Sequence, residues 1–236
     1  MSLAAAQPAP GRLRILLRTM LLLAAGVSVA DVAIADDAAA EFAQVEARLV
    51  GADGVPIQFD IRSTGALNSA LSGDAEIRHS GRAEIRAEGS FAGTTADIRL
   101  RASEETLTGG NGEKSFETTP PGALAEGLLV GFTRMGLLHN LAMLSAGYPP
   151  DATDGQATEW VETSDITLGE PQALGGKTAR AFRFTVVVGG QPSALAELWV
   201  DVATGLPVRR VQIVSFPEGE MRVLEQYSAV KLFGTN

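Results

Sequence analysis

The side chains able to do chemistry in this chain do not gather into a catalytic set. His79 and His139 are the only histidines and stand sixty positions apart, which excludes an H-E-x-x-H zinc site and any three-histidine site. There is no cysteine, so thiolate metal sites, a cysteine nucleophile and disulfides are absent. No G-x-S-x-G elbow, Walker loop or dinucleotide fingerprint stands in the strand-to-helix setting that would make it work. Asp151, Asp154 and Glu159 cluster near a glycine in DATDGQATEW, but their spacing departs from a calcium loop. That stretch reads as a solvated loop, with calcium as the alternative. Glu104 and Glu105 point to opposite faces if extended, and so read as surface. His79 falls on the apolar side of a strand pattern and reads as a hydrogen-bonded structural residue. His139 reads the same way, or as a contact for a ligand headgroup if its helix borders a cavity. The expectation is a protein that is not an enzyme and carries no cofactor and no metal.

Binding then becomes the question, and the N-terminus sets where it happens. Arg12 to Asp37 read RLRILLRTMLLLAAGVSVADVAIADD, a basic start, an apolar run and a small-residue end at Ala33 to Ala35. A membrane-spanning helix needs about 20 predominantly apolar residues, whereas Arg18 and Asp31 bound a shorter run here. This is the pattern of a secretory signal over residues 1–35, cut after Ala35, with Ser28 to Ala30 as a second cut site. One domain over 36–236 would remain, in the periplasm. With no cysteine to carry an acyl anchor, it is expected to be soluble there. Removing three arginines and one aspartate with the signal turns the net charge of −9 into −11. An acidic surface repels phosphate backbones and anionic headgroups, so nucleic acid is not an expected partner. The remaining length of about 200 residues suffices for one sizeable core.

The elements follow from period. Ala38 to Val50 places Phe42, Val45 and Leu49 at helical spacing and reads as a short helix, with the run-in to a first strand as the alternative. From Val55 the period becomes two, predicting strands over Ile57 to Ser63, Asp74 to Ser80, Arg82 to Gly89 and Thr95 to Ala102. Short strands are expected over Thr106 to Gly109 and Glu113 to Thr118. Five more follow over Ser164 to Glu170, Lys177 to Val188, Ser193 to Asp201, Leu206 to Phe216 and Glu220 to Leu232. Turns such as Ser80-Gly81, Gly189-Gly190 and Pro217-Glu218-Gly219 are short enough that successive strands must be antiparallel.

Alternation also assigns faces. Ala75, Ile77, His79, Ala83, Ile85, Ala87, Ala96, Ile98 and Leu100 share a dry side, while arginines and acids on the other side predict cross-strand charge ladders. An alanine-lined face cannot by itself fill the roughly 10 Å of a packed layer. The segment Gly122 to Tyr148 is the expected filler, an almost uniformly apolar helical stretch interrupted by Gly127, Gly131 and Gly136. It is either a core helix or a mobile one beside a ligand. Trp160, Trp199, Phe182, Phe184, Met221 and Tyr227 read as pocket lining or as ordinary core.

The segment LAELWVDVATGLPVRRVQIVSF followed by EMRVLEQYSAVKL resembles the closing strands of the LolA/LolB-like periplasmic carriers and lipoprotein-sorting proteins. Its D-x-x-T-G-L-P turn runs from Asp201 to Pro207. The resemblance implies an α+β fold, a curved antiparallel sheet forming an open half-barrel wrapped around apolar helices, with a cavity for acyl chains. On that reading the chain carries lipid or an acylated lipoprotein to inner- or outer-membrane partner proteins. Lipid contacts are expected from Ile85, Ile98, Leu128, Phe132, Met135, Leu138, Met143 and Trp199. The alternative is an envelope protein that recognises a protein partner, in stress sensing or assembly, with the same fold.

Overall fold

Period two is realised residue by residue in the first strand. β1 (Gly54–Gly65) buries Val55, Ile57, Phe59, Ile61 and Ser63 and turns Gln58, Asp60 and Arg62 to solvent. The computed structural model describes residues 29–149, 161–217 and 219–234. Residues 1–28 of the expected signal, the acidic loop with Asp151, Asp154 and Glu159, and Trp160 lie outside the described residues. Helix α1 (Val29–Val50) precedes β1 and starts earlier than its apolar spacing predicts.

After β1 come β2 (Ser69–Arg78), β3 (Ala83–Phe91), β4 (Thr94–Ala102), β5 (Leu107–Gly110) and β6 (Ser115–Thr118). Two helices follow, α2 (Leu124–Arg134) and α3 (Leu137–Ser145). The chain then returns to the sheet in β7 (Val161–Leu168), β8 (Gln172–Leu174), β9 (Lys177–Val188), β10 (Gln191–Asp201), β11 (Pro207–Phe216) and β12 (Gly219–Val230). All twelve strands form one antiparallel sheet in the order β6-β5-β4-β3-β2-β1-β12-β11-β10-β9-β7, with β8 beside β9. The N- and C-terminal meanders are joined where β1 pairs with β12, from Ile57 opposite Val230 to Gly65 opposite Met221. β6 and β7 remain as separate edges, so the half-barrel is open, as the resemblance implies.

The three helices lie on the concave face. Phe42 of α1 packs edge-on against Phe182 and tilted against Phe184 of β9, with ring centroids 5.5 and 5.0 Å apart. α3 rests on β3, β4 and β5, where Ala83, Ala87, Ala96 and Ala102 keep the sheet surface low enough for a helix to approach. The alanine-lined face is therefore covered by the apolar segment expected to cover it.

Four details depart from the sequence reading. β2 starts at Ser69, because Leu71 and Ser69 carry the buried alternation back to the β1 turn. His79 is exposed in the β2–β3 turn, since the Arg78 amide donates to the Arg82 carbonyl at 2.8 Å and ends the strand before it. Gly122 to Tyr148 is two helices with a sharp bend between them. The outer charges pair mainly along strands: Asp97 with Arg99 at 3.0 Å, Glu76 with Arg78 and Glu84 with Arg86. The reason is register, which sets Arg86 opposite Arg99, Glu88 opposite Asp97 and Glu76 opposite Glu84, leaving Arg101 to Glu84 at 3.3 Å as a cross-strand pair.

One ion pair belongs to the interior. Arg134, at the end of α2, donates to Glu46 of α1 from Nε at 2.8 Å and Nη2 at 2.6 Å, and from Nη1 to the Val161 carbonyl at 2.7 Å. The Thr133 hydroxyl adds a bond to Glu46 at 2.7 Å. Breaking a buried pair from one side strands the other charge, so Arg134→Met is expected to lose about 3 kcal/mol in urea denaturation. Arg78→Met, at an exposed pair, is expected to lose under about 1 kcal/mol in the same measurement.

Candidate functional site

Two charged residues occupy the dry side of β11 and β12. Arg210 and Glu225 stand directly opposite each other in the ladder and are each only 1% exposed. Their partners are the broken ends of the helices. Arg210 donates from Nη1 to the Thr133 carbonyl at 2.6 Å and from Nη2 to the Arg134 carbonyl, the last turn of α2. Glu225 accepts the amide of Leu137 at 3.0 Å and that of Leu138 at 2.9 Å, the first turn of α3. A cation therefore meets the negative end of one helix dipole and an anion the positive end of the next. The helices are held bent by 119° between them.

The bend requires Gly136. Its φ of 83° and ψ of 169° fall where glycine alone is at ease. A Cβ there would come within 2.6 Å of Glu225 Oε1 and 3.0 Å of Arg210 Nε. The Tyr227 hydroxyl donates to Glu225 at 2.5 Å, and its ring packs edge-on against Phe132 at 4.8 Å. Burial pushes the Tyr227 phenol well above its ordinary value of 10, with the Glu225 charge adding to the rise and Arg210 opposing it. Burial pushes the Arg210 guanidinium down, while Tyr227 and Glu225 oppose the fall. Arg210 also lies over the Phe184 ring, 5.5 Å from its centroid.

Beyond the bend the packing opens. A cavity of about 300 Å³ lies between α3 and the concave face of β9 to β12. Met135 at the bend and Leu138, His139 and Ala142 of α3 form one wall. Val186, Val188, Ala194, Gln212, Val214, Met221 and Val223 form the other, with Leu67, Phe91, Ser193 and Phe216 completing the lining. Twelve of these fifteen side chains are apolar, and His139, Ser193 and Gln212 are the polar ones. No group of three or more histidines, aspartates or glutamates among the described residues is placed to hold a metal ion.

Of the eight residues expected to touch lipid, Met135 and Leu138 line this cavity. Ile85, Ile98, Leu128 and Phe132 are buried in the packed interior, each 2% exposed or less. Met143 is half-buried on α3 and is not among the lining residues. Trp199 lies on the convex side, opposite Ala181, because Leu198 and Phe182 take the concave parity. Among the other aromatic and methionine candidates, Met221 lines the cavity, while Phe182, Phe184 and Tyr227 are core. The sequence reading missed Arg210, Glu225 and Gln212. Glu225 had a visible signal, a carboxylate between Val223 and Tyr227 on an apolar parity.

No family model and no curated protein sequence matches the chain. Among solved structures it is similar to LprF from Mycobacterium bovis, at 13% identity and a TM-score of 0.45, over 85% of this chain and 97% of that one. It is similar to MucB at 15% identity and a TM-score of 0.42, over 85% of this chain and 60% of that one. A LolA superfamily protein from Nitrosomonas europaea aligns over 84% of this chain and 94% of its own, at 9% identity and a TM-score of 0.34.

Two outcomes follow from the bend. Gly136→Ala should lose about 3 kcal/mol, through backbone strain and a displaced carboxylate. Gly93→Ala, also at positive φ but with open space around it, should lose roughly 1 kcal/mol, both read by thermal or urea melts. A raised folded-state pKa adds nothing to pH dependence below the unfolded value and loses stability above it. Unfolding free energy should therefore hold to about pH 9 and fall from about pH 10 upward as the unfolded phenol ionises. Tyr227→Phe should make that fall shallower in urea titrations across the same range.

Proposed function

We propose that this chain is a carrier of the cell envelope that takes up lipid or lipoprotein acyl chains in the cavity between α3 and β9 to β12. The cavity is the observation that supports the reading. Protein interiors are close-packed, and voids larger than a water molecule are few. An apolar space of about 300 Å³ equals roughly ten times a water's share of the liquid, about 30 Å³. It has room for one alkyl chain of moderate length. Each methylene moved into it from water contributes about 0.8 kcal/mol. A filled chain would gain several kcal/mol before the losses of immobilisation are subtracted. Met135 and Leu138 are the wall residues that carry over from the expected lipid contacts. The N-terminal signal pattern and the acidic balance of the chain fit export and delivery in solution.

The competing reading is that the same fold recognises a protein. One of the similar structures is MucB in complex with MucA(peri). Native mass spectrometry separates the two. The full chain, expressed with its N-terminal segment and purified without detergent, should carry an extractable adduct of lipid mass. A clean mass that persists after incubation with single-chain acyl lipids as well as phospholipid vesicles would contradict the carrier and shift attention to protein ligands. Ala142→Phe, which fills the cavity from a half-buried lining position, should remove the adduct and leave the thermal melt within a few degrees of wild type.

A further inference from the structure

The cavity has one deep polar end. Along β11 the concave-facing residues close down from Phe216, 42% exposed, through half-buried Val214 to Gln212 at 9% and Arg210 at 1%. Phe216 therefore stands at the mouth, and Gln212 lies at the floor, against the Arg210 guanidinium that fixes the helix ends. The same order appears across the ladder. Phe216 faces Gly219 at the hairpin, whereas Gln212 faces Val223 and Ala196 in the middle of the sheet.

The orientation of the Gln212 amide is settled by chemistry. Arg210 Nη2 is 2.9 Å from Gln212 Oε1. A guanidinium has donors and no acceptor, so the atom it meets must be the carbonyl oxygen. The other end of the amide, with its two N–H donors, is what Gln212 turns to the cavity it lines. The Ser193 hydroxyl, also in the lining, donates to the Gln191 carbonyl at 3.0 Å in its own hairpin.

We infer that the ligand is an oxygenated single-chain lipid, such as an acyl ester or amide, bound with its carbonyl inward on the Gln212 amide and its tail toward Phe216. Resting on the carrier reading above, this narrows the cargo. A plain hydrocarbon would offer the Gln212 amide no acceptor, whereas an ester or amide carbonyl would. A two-chain phospholipid exceeds the space, and an acyl chain tethered to a protein could not enter carbonyl-first. Arg210 has a second part here, since it holds the amide in the one orientation that offers donors to the cavity.

The test compares methyl decanoate with decane by displacement of a hydrophobic fluorescent dye from the full chain. Gln212→Glu keeps an oxygen for Arg210 and replaces the donors with an acceptor. It is expected to weaken methyl decanoate roughly tenfold, the equivalent of one lost hydrogen bond, and to leave decane unchanged. An equal change for both probes, or none for either, would overturn the inference. The infrared carbonyl band of bound methyl [1-¹³C]decanoate, read on wild type, covers the case in which the variant does not fold. A band lowered relative to the ester in alkane solvent supports the hydrogen bond, and an unshifted band contradicts it. If neither probe displaces dye from wild type, the carrier reading fails and this one with it. If both bind but the variant and the band are silent, only the inward carbonyl fails.

Discussion

Everything distinctive in this fold depends on two opposite charges placed inside a sheet where apolar residues would be expected. Arg210 and Glu225 are neighbours across β11 and β12, and each makes two hydrogen bonds to a helix terminus. Burying either charge alone would cost several kcal/mol. The cost is offset because helix ends are themselves unsatisfied and partly charged, so each ion meets the dipole that suits it. The same contacts make the bend at Gly136 a fixed feature. Without an anion at the start of α3 and a cation at the end of α2, a continuous helix from Leu124 to Ser145 would satisfy its own backbone and lie differently on the sheet.

The bend in turn makes the cavity. α2 ends deep in the half-barrel, tied to α1 through Arg134 and Glu46 and to β11 through Arg210. α3 leaves at a steep angle toward β3, β4 and β5. Toward the hairpin ends of β9 to β12, valine, methionine and phenylalanine side chains face α3 across an open space. A helix expected to be either lid or core is thus divided. α2 is core, with eight buried residues in eleven, and α3 is at once core against β4 and wall of the cavity.

Much of the architecture was legible because a half-buried antiparallel strand writes its period into the chain. The strands, the short turns between them and the apolar segment that covers the alanine face all follow from that signal, and the Asp201 to Pro207 turn supported the family resemblance. The site was less legible for physical reasons that can be named. In RRVQIV one arginine falls on each parity, so nothing local says whether Arg209 or Arg210 faces inward. Glu225 interrupts an apolar parity, but its meaning depends on a helix end 88 positions away in the chain. His79 shows the opposite error, a residue on the dry parity of a strand that a backbone turn ends one position earlier. A cavity is harder still, because it is defined by what the packing does not fill. Trp199 and Ile85 look as suitable for lipid as Met135, yet Trp199 lies on the convex parity and Ile85 lies in the packed interior, while Met135 stands at the bend.

The central claim is that the space left by the bent helices holds an acyl chain. Diffraction from crystals soaked with a methyl ester carrying bromine at its far end would test it most directly, since the bromine is located by its anomalous signal without reference to a fitted chain. The account predicts a single peak at the cavity mouth beside Phe216 and Val188, with α2 and α3 still bent at Gly136. A peak on the convex face, or none inside the half-barrel, would contradict it.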